Sequence, residues 1–191
     1  MLYPILHQFA MFNNVTSLSL NSFSLHHFNE VDITEIFEHF FPTVRKLSLE
    51  DLCSSVDALI WFLLRFRVLD DLSICDPEWD DEDNALFVSA SAELPPFRGE
   101  LHFLRLHADS VDFIDLLARI PIAFQQVSVV NCQLPSASIN RLLNQLSPSL
   151  RVFSMSGWFD SALKTFSVLH CPLTTQIQVV ASRTSTFFCA R

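Results

Sequence analysis

One spacing constrains this chain more than any other feature. An apolar residue is followed by two others, a second apolar residue, one more, and a third apolar residue. The copies are Val15-Leu18-Leu20, Val44-Leu47-Leu49, Leu69-Leu72-Ile74, Leu101-Leu104-Leu106, Phe124-Val127-Val129 and Leu150-Phe153-Met155. Their starts are 29, 25, 32, 23 and 26 residues apart. A single such triplet means little in a chain that is 50% hydrophobic. Six copies at a period near that of one leucine-rich repeat mean much more. The last two apolar residues of each copy alternate with one small or polar residue, which puts both on one face of a short strand. So short a strand cannot bury its face alone and needs a parallel neighbour and a covering layer.

The covering layer is legible between the triplets. Ile33, Ile36, Phe37 and Phe40 form one stripe, and Val56 to Phe66 form a strongly apolar segment. Phe113, Leu116, Leu117 and Ile120 form another stripe, and Ile139, Leu142, Leu143 and Leu146 the last. These are helical periods. Asp32, Asp112 and Ser138 are expected N-caps. Pro42, Pro121 and Pro148 end three of the segments. The unit is therefore strand, loop, helix, stop. The expected fold is α/β: a short, curved leucine-rich-repeat solenoid with parallel strands on the concave side and helices on the convex side.

The organisation that follows is an N-terminal cap over 1–14, about six irregular repeats over 15–158, and a C-terminal cap or partly disordered tail over 159–191. An acidic insertion at 76–100 interrupts the repeats. Within the tail, the strand-like IQVV stretch reads as an edge strand or a frayed tail, and Trp158, Phe159, Phe166, Val168 and Leu169 could cap the core.

The phrases FPTVRKLSLEDLCSSVDALIWFLLRFRVLDDLSIC at 41–75, LHFLRLHADSVDFIDLLARIP and LSPSLRVFSMSGW carry a family resemblance. They resemble the leucine-rich-repeat region of the large fungal, mushroom-type F-box/LRR-like proteins. In such proteins an N-terminal F-box recruits a Skp1-type adaptor and the repeats present a substrate for ubiquitination. The residues before Val15 are too few for an F-box. The resemblance therefore implies a substrate-recognition part, with the adaptor binding only through an F-box outside this chain. The Asn or Cys that this repeat class carries three residues beyond the last strand position appears only as Cys132. Phe23, Leu52, Pro77, Asp109 and Trp158 stand at the other equivalent positions, which predicts irregular turns.

If the strand leucines point inward, their neighbours form a binding face. Its triplets are Ser17-Ser19-Asn21, Lys46-Ser48-Glu50, Asp71-Ser73-Cys75, Phe103-Arg105-His107, Gln126-Ser128-Val130 and Val152-Ser154-Ser156. Five of the six middle positions are serine, a flat floor that a protein partner can approach. Phe103, Arg105 and His107 stand out, because an aromatic beside an arginine is a hot-spot composition. Lys46, Glu50, Asp71 and Gln126 complete the candidate set. Trp79 joins it from a run of eight acids and no base at 70–83, which could attract a basic segment of a partner.

Other functions fit poorly. A formal net charge of −9 and only two glycines argue against nucleic acid and glycine-rich phosphate loops. Asp76, Glu78 and Asp80 alternate as calcium ligands do, but Asp81 and Phe87 replace the required Gly and Glu. His26-His27 and His170-Cys171 are adjacent pairs rather than ligands on one face, and no HExxH or GxSxG occurs. Asp112 and Asp115 are accounted for as acids in the first turn of a helix, where they stabilise its N-terminus. No catalytic, cofactor or metal residue is assigned, and the expectation is a non-enzyme. An enzyme with a cryptic site and an incomplete gene product are the alternatives. Cys53, Cys75, Cys132, Cys171 and Cys189 form no CxxC and read as reduced thiols of the cytoplasm or nucleus. The longest pure apolar run, Ala58 to Leu64, is too short to cross a bilayer.

Overall fold

A computed structural model describes residues 14–25, 30–80, 97–118, 122–146, 148–157 and 176–181. Most of the proposed N-terminal cap, residues 81–96 of the insertion, and the tail residues Trp158, Phe159, Phe166, Val168 and Leu169 lie outside them.

The architecture is mixed α/β. In chain order the elements are β1 (Ser17–Asn21), α1 (Glu30–Phe37), β2 (Lys46–Glu50), β3 (Cys53–Ser54), α2 (Val56–Leu64), β4 (Leu69–Cys75), β5 (Glu78–Trp79) and β6 (Phe97–Leu104). A 3₁₀ turn (Ala108–Ser110), α3 (Val111–Leu117), β7 (Ala123–Val130), α4 (Ser136–Leu146), β8 (Val152–Gly157) and β9 (Gln176–Ala181) follow. Seven strands form one sheet in the order β1-β2-β4-β6-β7-β8-β9, every pair parallel. The two-residue strands β3 and β5 pair beside it. Of the two readings of IQVV, the edge strand is the one present, as β9 next to β8.

Register explains the core. Leu18, Leu47, Leu72, Leu101, Val127 and Phe153 align across neighbouring strands, and so do Leu20, Leu49, Ile74, Phe103, Val129 and Met155. From β2 to β8 every one of these side chains is buried. Each such burial stabilises by roughly 1.5–3 kcal/mol against exposure. The helices meet in chain order, α2 with α3 and α3 with α4. Six consecutive residues of α2, Ala58 to Leu63, are buried, as befits a helix apolar all round. Phe37, Phe41, Phe62 and Phe66 lock α1 onto α2 through edge contacts at 5.1–6.0 Å between ring centroids. A small void among Phe103, Ile114, Val127, Leu134, Leu142 and Phe153 is apolar and belongs to this core.

The helix starts differ from expectation. Ser55 caps α2 by accepting from the Ala58 N–H at 3.2 Å. Asp32, Asp112 and Ser138 lie inside α1, α3 and α4. Asp115 is not a first-turn acid: its Oδ2 is 2.8 Å from Arg141 Nη1 of α4.

The turns are regular, contrary to the expectation from the missing Asn. The residue after each of five strands, Ser22, Asp51, Asp76, Arg105 and Asn131, has φ of 49–54°. Each of these residues donates its backbone N–H to a carbonyl at the end of the next strand, Glu50, Cys75, Leu104, Val130 and Ser156 respectively, at 2.8–3.1 Å. A backbone ladder thus satisfies the turn. Cys132 adds a side-chain version. Its sulfur accepts from the Leu106 N–H at 3.4 Å and donates to the Val130 carbonyl at 3.3 Å. Leu52, Leu106 and Cys132 bury their side chains just beyond the turn.

Candidate functional site

The sheet has a second face, and its residues alternate with the core rows. Lys46, Asp71, Glu100, Gln126 and Val152 form one row across β2, β4, β6, β7 and β8. Ser48, Ser73, His102, Ser128 and Ser154 form the next, and Glu50, Cys75, Leu104, Val130 and Ser156 the third. Ser17, Ser19 and Asn21 extend the rows onto β1. Apart from Cys75, the residues of these rows are half-buried or exposed. The serine floor is present, with His102 as its one departure.

Phe103 does not belong to this face. It is 1% exposed and pairs with Ile74 in the core row, and its ring meets Phe113 edge-on at 6.4 Å. The physical reason is register: a shift of one residue turns every side chain to the opposite face. Leu101, Phe103, Leu104 and Leu106 offer two apolar frames, and pairing with β4 selects Leu101 and Phe103. The aligned residues Leu18, Leu47, Leu72, Leu101, Val127 and Phe153 are 29, 25, 29, 26 and 26 apart, more even than the spacing of the triplets. Arg105 consequently falls on the turn after β6 and His107 beyond it, and Glu100 and His102 take the face. Even spacing was the signal that could have identified these two residues.

Two chains of charged groups border the serines. Along the first row, Lys46 Nζ is 3.5 Å from Asp71 Oδ2. His102 Nε2 is 3.7 Å from Asp71 Oδ1 and 3.1 Å from Glu100 Oε2. At the strand ends, Asn21 Nδ2 donates to Glu50 Oε2 at 3.3 Å. Arg105 Nη2 lies 3.5 Å from Glu50 Oε1, Arg105 Nε 3.6 Å from Asp76 Oδ2, and His107 Nε2 3.1 Å from Asp76 Oδ1. The Arg105 guanidinium also donates to Cys75 Sγ at 3.1 Å. That bond, and the Asp76 carboxylate after it, hold the Arg105 pKa above its ordinary value. Lys46 and Asp71 are thus brought together in one cluster and Glu50, Arg105 and His107 in the other, and Gln126 sits beside Glu100 in register.

Three acids of the run, Asp70, Asp71 and Asp76, are engaged rather than free. Asp70 pairs with Arg45 at 3.3 Å, Asp71 with Lys46, and Asp76 with Arg105 and His107. Trp79 is a packing residue. Its indole stacks on Phe113 at 5.2 Å and donates to Ser110 Oγ at 2.8 Å. The β3–β5 pairing holds it there, away from the serine face.

Among the described residues Cys53, Cys75 and Cys132 are free thiols. Burial pushes the Cys132 thiol up to about 11. Burial first, then the Glu78 and Asp80 carboxylates, raise that of Cys53. Both are therefore held in the unreactive thiol form at neutral pH. Asp71, Glu100 and His102 bring one ligand atom each to within 4.8 Å of one another, an arrangement that can hold a cation. Among the described residues no helix is long and apolar enough to cross a membrane.

Comparison with protein-family models, with curated proteins and with solved structures finds no match to this chain.

Proposed function

We propose that this chain is a leucine-rich-repeat solenoid that works as a non-catalytic protein-interaction module, the substrate-recognition part of an F-box-type ubiquitin-ligase receptor. A Skp1-type adaptor enters this reading only through an F-box outside the chain. The observation that carries it is the second face of the parallel sheet. Helices in chain-order contact pack over the apolar rows, and the opposite rows present small hydroxyl side chains between two charged borders. Serine truncates readily to a flat surface, and flanking charges set register and partner choice. The near-even period of the aligned strand residues and the repeated left-handed turn support the repeat reading.

The test is affinity capture from the source cell with the wild-type chain and a Ser48→Arg/Ser128→Arg variant in parallel. Both substitutions are on the half-buried serine row, where added bulk obstructs docking. Proteins retained by the wild type and lost by the variant, with unchanged circular dichroism, are expected. An adaptor and a cullin captured through the endogenously tagged gene product, with whatever it carries outside this chain, place the chain in a ligase. Identical capture by both chains overturns the assignment of this face.

A further inference from the structure

We propose that Asp71, Glu100 and His102 form a binding site for a divalent transition-metal ion of the zinc type, on the serine face of the sheet. The proposal is independent of the interaction reading.

The geometry converges on one atom. His102 Nε2 faces Glu100 Oε2 at 3.1 Å and Asp71 Oδ1 at 3.7 Å, and all three ligand atoms lie within 4.8 Å. Two ligands at about 2.0–2.2 Å from one tetrahedral zinc-like ion are themselves roughly 3.3–3.6 Å apart. The two separations from His102, 3.1 and 3.7 Å, bracket this range, and the three side chains are a quarter to a half exposed, so side-chain rotations can adjust them. Glu100 and His102 are two apart on β6 and share its face, and Asp71 is the register partner of Glu100 on β4. Ligands on paired strands are held more firmly than ligands on loops.

The donor set selects the ion. An imidazole with two carboxylates suits zinc and its neighbours, whereas calcium and magnesium take oxygen ligands alone. Three protein ligands leave coordination positions open to water. Lys46 does not occupy the centre: it approaches Asp71 through Oδ2, while Oδ1 is the oxygen turned to His102. It thus orients the ligand carboxylate from outside, as partners of metal ligands commonly do. Two carboxylates and a neutral imidazole balance the charge of a divalent ion.

Zinc(II) titration of the full chain by calorimetry, and cobalt(II) titration by visible absorption, test the proposal. The expected result is saturable binding of a single equivalent, with cobalt d–d bands and no thiolate-to-cobalt charge transfer. Affinity should fall by about tenfold or more in His102→Gln and in Asp71→Asn, and stay unchanged in His107→Gln. Thermal melts without metal identify any variant that fails to fold, and Glu100→Gln then supplies the same readout. Absence of saturable binding, undiminished affinity in the folded variants, or a thiolate charge-transfer band each overturns the site.

Discussion

The indole N–H of Trp79 donates to the hydroxyl of Ser110 at 2.8 Å, across 31 positions of sequence. The bond ties the start of the acidic insertion to the residue preceding α3. Ser110 is fully buried and Trp79 half-buried, so the hydroxyl end of the bond is shielded from water. Trp79→Phe should keep the stacking on Phe113 and lose the hydrogen bond, lowering stability by about 1 kcal/mol. Trp79→Ala should lose both and cost about 2–3 kcal/mol. Urea denaturation of the two variants against wild type measures the difference; a Trp79→Phe variant as stable as wild type would show that the hydrogen bond contributes nothing.

Gly99 has φ of +84°, and a Cβ placed on it would overlap the carbonyl oxygen of Asp70 on the neighbouring strand. The register between β6 and β7 shifts at this position. Both the backbone conformation and the close approach require glycine. Gly99→Ala should therefore destabilise by about 2–4 kcal/mol, read as a lowered denaturation midpoint. A variant as stable as wild type would contradict the close packing of β4 against β6.

Cys132 makes stability depend on alkaline pH. Its thiol is raised from 9.0 to about 11 by burial, the hydrogen bonds from Leu106 and to Val130 notwithstanding. The unfolded thiol ionises first, so between pH 9 and 11 the unfolded state holds fewer protons than the native one. The contribution is intact below pH 9 and is lost as pH rises through that window, by up to about 2–3 kcal/mol in total. Denaturation of wild type and Cys132→Ala across pH 8–10.5 should show a steeper decline in wild type. Parallel pH profiles would count against a buried neutral thiol.

Arg141 holds α4 to α3 through Asp115, whose side chain is 16% exposed. The other carboxylate oxygen of Asp115 is buried and has no partner among the described residues. Removing the guanidinium leaves a desolvated charge, so Arg141→Ala should cost about 1–3 kcal/mol. Arg141→Ala/Asp115→Ala should recover part of that loss, and a double-mutant cycle by thermal unfolding reads the coupling. Additive losses would mean that the pair contributes nothing beyond its separate side chains.

How far the binding face was legible depended on which residues could settle the strand frame. In β2 and β4 the apolar residues Leu47, Leu49, Leu72 and Ile74 are flanked by Lys46, Ser48, Glu50, Asp71 and Ser73. Only one frame buries the leucines, and Lys46, Glu50 and Asp71 stand on the face expected of them. In β6 both frames are apolar, and local sequence could not choose. Trp79 was equally ambiguous: an aromatic among acids reads as exposed until Phe113 and Ser110, more than thirty residues away, are seen to enclose it.

Period and polarity alone determined that this chain alternates short strands with apolar-striped helices, because a strand face repeats every second residue and a helical stripe every third or fourth. They also determined that one sheet face would be rich in serine. Only tertiary structure decided that Phe103 turns inward and His102 outward, and that a ladder of left-handed turns, with the Cys132 sulfur beside one of them, satisfies the backbone beyond the strands. It alone brought Asp71 to Glu100 and His102. The reason is that each of these depends on the register between strands 25–30 residues apart, a relation between hydrogen-bonded neighbours that no local window of sequence contains.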